Sequence, residues 1–243
     1  MKESSEAPKL FARLSPKRLA WKQSTKLVAT IFPPVDVFED VADAADLAAL
    51  LALRARTNPF LTERIAPALT IPAKDRVYGP GAGYVMAPFA YPSPDGTRFG
   101  PPALAGNSFG VFYAARDEAT AIAEVKHHRS IFLAATRAPA QDLDFEVLKA
   151  PVKGTHFYDL RGRQREYPKV YSPTNYSASQ KLGVELRGQD ADGIAYDSVR
   201  REGGQCVAVF RPRCVGPCRP VKHLIMRWDG EAIAAVLEAR RLA

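Results

Sequence analysis

The sequence predicts a single α/β domain, of the α+β kind, built on a mixed, strongly twisted sheet with a helical N-terminal extension. Three stretches carry that expectation. Phe109–Ala115 has the aromatic, β-branched and small residues of a strand. It leads straight into a helix signal: Asp117 is an N-cap type, Glu118 suits the positive end of the helix dipole, and Ala119, Ile122, Ala123 and Val125 form an apolar side. Gly193–Val199 (GIAYDSV) and Gln205–Arg211 (QCVAVFR) are strand patterns joined by the turn Arg200–Gly204, which predicts a hairpin.

Taken in order, the chain begins with a basic leader. Net charge is +8, and residues 1–26 hold seven Lys/Arg against two Glu, leaving a nearly neutral body. Such an arm suits nucleic acid or an acidic partner, or is simply solvated, and no nucleic-acid motif accompanies it. Pro33-Pro34 ends it. Asp36 and Glu39 then have capping-box spacing, and the apolar period from Val37 to Leu51 predicts a helix to about Arg56. Residues 1–56 are thus expected as leader and helical extension, 57–228 as the main domain, and 229–243 as a C-terminal helix packed on it. That last helix rests on Asp229 as cap and on Ile233, Val236 and Leu237 along one side. Between them, Ile131–Ala138 and Leu143–Val152 read as strands, and Ser177 with Gln180 as a capping box opening a helix that ends at Gly188. Residues 158–176 are basic and Tyr-rich, either an exposed loop with tyrosines packed on the body or a lid.

Composition excludes several classes. No apolar run reaches the roughly 18 residues of a membrane span, and the charged N-terminus has no apolar signal segment, so a cytoplasmic setting is expected. Three Cys argue against a disulfide framework. Cys206, Cys214, Cys218 and His223 fall close together as zinc candidates, but Cys206 lies inside a strand pattern and no second close pair exists, which favours free thiols. There is no G-x-S-x-G elbow, no P-loop and no dinucleotide fingerprint. His127 and His128 lack a partner nucleophile and read as surface residues near a helix end. Arg76 and Tyr78 precede the turn Gly79-Pro80-Gly81-Ala82-Gly83, and a Gly-rich turn beside Arg is suited to a phosphate, although most such clusters only mark turns.

A dispersed set then remains: Arg98 before the central strand, Tyr113 within it, Glu124 on the following helix and Ser198 on the later hairpin. Taken singly, Tyr113 reads as a half-buried core tyrosine and Glu124 as a solvated helix carboxylate. Their order, the Gly-x-Arg-aromatic block at Arg98, the strand ending at Tyr113–Ala115, the Ala-rich helix with Glu124 and the segment GIAYDSVRREGGQCVAVFRP together resemble the RES domain family over about residues 57–228. Arg98 is followed by Phe99-Gly100 where that family more often has Trp-Asn.

The resemblance implies a fold like that of ADP-ribosylating toxins and the role of toxin in a bacterial toxin–antitoxin pair. It implies that NAD is consumed as a substrate, by hydrolysis, phosphorolysis or ADP-ribose transfer to a protein, with no metal. Partners would be NAD, an Xre-like helix-turn-helix antitoxin and a host-cell protein target, with no membrane and no nucleic-acid contact except through the antitoxin. By the same resemblance Glu124, Tyr113, Arg98 and Ser198 would be catalytic, and Arg76, Tyr78, Arg98, Tyr113 and Ser198 would bind NAD. The alternative from a different class is a non-catalytic binding module acting through the basic arm.

Overall fold

The computed structural model describes residues 14–31, 36–57 and 67–240. Seven strands form one mixed sheet: β1 (Pro16–Ala29), β2 (Phe112–Ala115), β3 (Gln141–Asp159), β4 (Gly193–Asp197), β5 (Gln205–Val209), β6 (Arg219–Trp228) and β7 (Ile233–Ala239). Among the described residues the helices are α1 (Ala44–Thr57), α2 (Ala82–Ala90), α3 (Glu118–Ala135) and α4 (Ser177–Gly188), with short 3-10 turns at Asp36–Phe38, Ala73–Asp75 and Pro212–Cys214. The strand order is β1-β2-β5-β4-β3-β6-β7, and β1 also pairs with β3, so five strands close into a ring from which β6 and β7 extend. Only β3–β4 is parallel.

The basic leader is the first departure from the sequence expectation. Of its seven cations, Lys17, Arg18, Lys22 and Lys26 lie on β1, which runs antiparallel to β3 from Pro16↔Tyr158 to Ala29↔Phe145. Leu19 and Trp21 are buried on one sheet face, Leu27 and Ala29 on the other. The switch occurs at a register shift between Trp21 and Ser24, where an extra residue turns the side chains over. A strand with this much ladder is part of the sheet, and the nucleic-acid arm loses most of its charge to it.

Other boundaries also move. α1 starts at Ala44, capped by Asp43 Oδ1, which accepts from the N–H groups of Ala45 (2.7 Å) and Asp46 (3.0 Å). Glu39 is used elsewhere, as described below. The predicted strand at 131–138 is the last part of α3 and the turn after it, and the predicted C-terminal helix is β7, paired with β6 from Trp228↔Ile233 to His223↔Ala239. In both places tertiary context overrides a weak local preference. α4 occurs where expected, but Asn175 Oδ1, not a capping box, takes the Ser177 N–H (3.0 Å) and hydroxyl (2.8 Å).

Each sheet face carries its own core. One packs Phe112, Leu148, Val152, Val207 and Val209 under residues 37–51 and α2. The other packs Tyr158, Ile194, Tyr196, Cys206 and Ala208 under α3, α4 and the segment after β3. Cys206, Cys214 and Cys218 are buried free thiols. No helix among the described residues is long and apolar enough to cross a membrane. At the seam between the layers Asp75, with no exposed surface, pairs with Arg211 (3.1 Å) and with Arg213. Arg211 also reaches Asp190, and Arg213 reaches Asp192 (3.1 Å), so the network ties the 73–75 turn to the start of β4 and the 212–214 turn.

Removing one partner of a buried pair strands the other charge. Asp75→Asn leaves Arg211 and Arg213 short of a counter-charge, so the urea midpoint is expected to fall by the equivalent of about 3 kcal/mol. A change below about 1 kcal/mol would show that the network does not hold these segments.

Candidate functional site

The site forms on the α3 face of the sheet. Asp117 begins α3, its carboxylate accepting from the Thr120 N–H (2.9 Å) and hydroxyl (2.7 Å). One helix stripe, Ala121, Glu124, Val125, His128, Arg129 and Phe132, then faces a cavity of about 430 Å³. The opposite walls are β1 at Thr25–Leu27, β2 at Tyr113–Ala115, the loop carrying Arg98, and Tyr176, Tyr196 and Cys206. A volume of this size and a mixed lining fit a small-molecule site.

Tyr113 serves that cavity by holding a loop. Its buried hydroxyl accepts the Phe99 N–H (2.9 Å) and bonds to Thr97 Oγ1 (2.9 Å). The Gln180 amide fixes the Thr97 carbonyl (3.1 Å). α4 lies so close that a Cβ on Gly183 would sit 1.9 Å from the Phe99 carbonyl oxygen. Between these anchors Arg98 is 93% buried, its Nη1 donating to the carbonyls of Val170 and Ser172 (3.0 Å each), and its guanidinium lies 4.6 Å over the Tyr176 ring. Residues 158–176 pack Tyr158, Tyr167 and Tyr171 into the body, and Val170, Ser172 and Tyr176 of this segment shoulder Arg98.

Ser198 turns inward just beyond β4. Its hydroxyl donates to Glu124 Oε1 (2.6 Å) and accepts the N–H groups of Arg200 (3.0 Å) and Arg201 (3.1 Å). One hydrogen given and two lone pairs filled leave it no capacity for a ligand. It is a positioning residue for Glu124. The Cys206 thiol approaches the same oxygen (3.8 Å), while Oε2 lies 4.0 Å from His128 Nε2. The carboxylate is pinned at one oxygen and presents the other on the His128 side.

The electrostatics follow from this crowding. Burial pushes Tyr113 up to about 12, so its hydroxyl is neutral. Burial, then Arg200, Arg98 and Arg129, lower His128 below the usual histidine range. Burial raises Cys206, helped by Glu124, so it stays a thiol and not a nucleophile. Burial lowers Lys26 to about 8, its ammonium donating to the Tyr113 carbonyl (3.3 Å) over the Phe112 ring (4.8 Å). Arg98, Arg129 and Lys26 thus set positive potential around the single carboxylate of the lining.

Arg76 and Tyr78 stand apart from this cavity. Arg76 is spent on the carbonyls of Ile71 (2.8 Å) and Leu69 (2.6 Å), and Tyr78 packs beside Phe38 on the opposite core. The Gly-rich turn is already filled: Glu39 accepts the N–H groups of Gly81 and Gly83 (2.8 Å each) at the start of α2, where a phosphate was envisaged. The cavity also holds His128, which by sequence reads as a surface residue, and Arg129 and Phe132, which the sequence expectation does not single out. The legible signal was their i+4, i+5 and i+8 spacing from Glu124.

Comparison with known proteins agrees with the residue pattern. The model of the RES domain matches residues 75–229. An uncharacterized protein of Sinorhizobium fredii (strain NBRC 101917 / NGR234), y4oC, is 31% identical over 211 residues, covering 86% of this chain and 84% of that protein. A chain in the crystal structure of the M. tuberculosis MbcT–MbcA toxin–antitoxin complex aligns with TM-score 0.47 at 12% identity, over 91% of this chain and 90% of that one.

Two outcomes check the geometry. Tyr113→Phe leaves the buried Phe99 N–H unpaired and is expected to cost about 1–3 kcal/mol in chemical unfolding. A Lys whose folded pKa is depressed makes the unfolded state the better proton binder between the two values, so stability rises with pH there. The parent is therefore expected to gain stability between pH 8 and about 10 relative to Lys26→Met. Parallel curves for the two proteins would mean Lys26 is not held as described.

Proposed function

We propose that this chain, which belongs to the RES domain family, consumes NAD as a substrate by cleaving its nicotinamide–ribose bond. The observation that carries this reading is the Glu124 carboxylate, held at Oε1 by Ser198 and lying in one cavity with the buried Arg98. Loss of nicotinamide builds oxocarbenium-like positive charge on the ribose, as glycosidic cleavage does. A fixed carboxylate stabilises that charge or holds a ribose hydroxyl without reorganising at the moment of reaction. The guanidinium groups suit the pyrophosphate by charge and fork geometry.

In this mechanism the hydroxyls of Ser198 and Tyr113 act through protein groups. Ser198 aims Glu124, and Tyr113 fixes the 97–99 loop that carries Arg98. The ADP-ribose acceptor is a protein side chain, water or phosphate. His128, neutral near pH 7 and on the Oε2 side of Glu124, is placed to take a proton from it. The biological setting we propose is that of the family: a toxin of a toxin–antitoxin pair, acting in the cytoplasm and restrained by an Xre-like helix-turn-helix antitoxin, with a host-cell protein as one possible acceptor.

Purified chain incubated with NAD, with and without phosphate and cell lysate, is expected to release nicotinamide, followed by mass. Free ADP-ribose marks hydrolysis, its phosphorylated form phosphorolysis, and a tagged lysate protein transfer. Glu124→Gln is expected to keep the unfolding midpoint and lose roughly 100- to 1,000-fold in kcat. Ser198→Ala is expected to lower kcat with little change in KM, because it disturbs the aim of Glu124 and not a substrate contact. No nicotinamide under any condition from folded protein would sink the proposal.

A further inference from the structure

We infer that the dinucleotide lies along α3, with its nicotinamide ribose at Glu124, its pyrophosphate between Arg98 and Arg129, and its adenine on Phe132. This rests on the NAD reading above and adds a direction to it. Glu124, His128 and Phe132 are successive i+4 positions of one helix, all lining one cavity. At about 1.5 Å per residue, Glu124 and Phe132 lie about 12 Å apart along the axis.

The two ends of that line differ in chemistry. At the Glu124 end the wall carries the Cys206 thiol, 3.8 Å from the carboxylate oxygen that Ser198 pins from outside the cavity. Phe132 shares the cavity wall with the apolar Leu27 and Phe145, and the Phe145 ring centroid lies 5.8 Å from the guanidinium of Arg129, three residues before Phe132. Phe132 is 56% exposed, unusual for a large aromatic side chain on a cavity wall. A flat, weakly polar ring system fits that end, where stacking is tolerant of base identity. Arg129, five residues past Glu124 and three before Phe132 on the same helix, supplies a cation between the ends, and Arg98 lines the same cavity from the opposite wall. A molecule with a reactive sugar, a central double anion and a terminal aromatic base matches this sequence of walls. The reversed orientation would set adenine against the charged Glu124 and the reacting bond against Phe132.

The test uses full-length Glu124→Gln protein, whose slowed turnover is expected to leave the ligand intact during a titration, studied calorimetrically with NAD, nicotinamide mononucleotide and AMP. Adding Phe132→Ala is expected to weaken NAD and AMP about tenfold and nicotinamide mononucleotide by less than twofold. Adding Arg129→Ala is expected to weaken NAD about tenfold as well. Because Phe132 is exposed, its truncation does not threaten folding, and Phe132→Trp is expected to retain NAD affinity. Equal losses for NAD and nicotinamide mononucleotide, or NAD affinity within twofold of the Glu124→Gln parent for both truncations, would overturn the orientation. Normal NAD binding together with no nicotinamide release by the unmutated protein would overturn cleavage and leave the orientation standing. Absence of NAD binding would overturn both.

Discussion

The ladder between β1 and β3 is the constraint on which the rest of the molecule depends. Eleven Cα pairs fasten β1 to β3, and a single pair, Thr25↔Ala115, fastens it to β2. The strand is therefore rigid on one side and loosely seamed on the other. That seam closes the five-strand ring, and the cavity opens over it: Thr25–Leu27 and Tyr113–Ala115 are the two lips. Strands that part leave backbone groups in need of partners. Here the Lys26 ammonium takes the Tyr113 carbonyl, and the Lys149 ammonium takes the Thr25 hydroxyl (2.7 Å). A site at the least-paired junction of a closed sheet gains room for a ligand while its walls stay anchored elsewhere.

Two polar devices convert that space into a site, and each uses a hydroxyl that bonds to protein. The Tyr113 hydroxyl replaces ladder bonds the 97–99 loop lacks, and the carbonyls of Val170 and Ser172 hold Arg98 from the far side. Ser198 does the same for Glu124 while stitching its own turn together. A carboxylate fixed at one oxygen and surrounded by cations has its geometry and charge set before a ligand arrives, which is where most electrostatic catalysis resides. The cost is burial of polar groups, and each hydrogen bond in these two clusters offsets part of it.

Much of this was legible in the sequence, for identifiable reasons. β2, the Asp117 cap, the front of α3 and the β4–β5 hairpin are local features, written in short-range composition, and they appear where expected. Arg98, Tyr113 and Glu124 line one cavity and Ser198 bonds to Glu124, although the sequence had no means to show that the Tyr113 and Ser198 hydroxyls bond to protein. What failed was non-local. β1 hides its alternation behind a bulge that reverses its faces midway. β7 carries Ala-rich spacing that passes for a helix until β6 supplies a partner. The Gly79–Gly83 turn has the form of a phosphate cradle, and only the fold reveals that Glu39, about forty residues upstream, already occupies it.

The end of α3 shows how one misplaced boundary conceals a site. Ile131 and Phe132 carry strand-forming side chains, so local propensity stops the helix near Arg129 and leaves His127 and His128 at its frayed end. The structure continues the helix to Ala135, where the Thr136 hydroxyl returns to the carbonyl of Phe132 (2.9 Å). That extension moves His128 and Arg129 from a helix terminus to its middle and carries Phe132 onto the cavity wall. A β-branched or aromatic residue costs a helix only a few tenths of a kcal/mol. Burying Leu133 against the sheet outweighs that cost, so the apolar contact on one side of α3 sets which side chains the other side presents to a ligand.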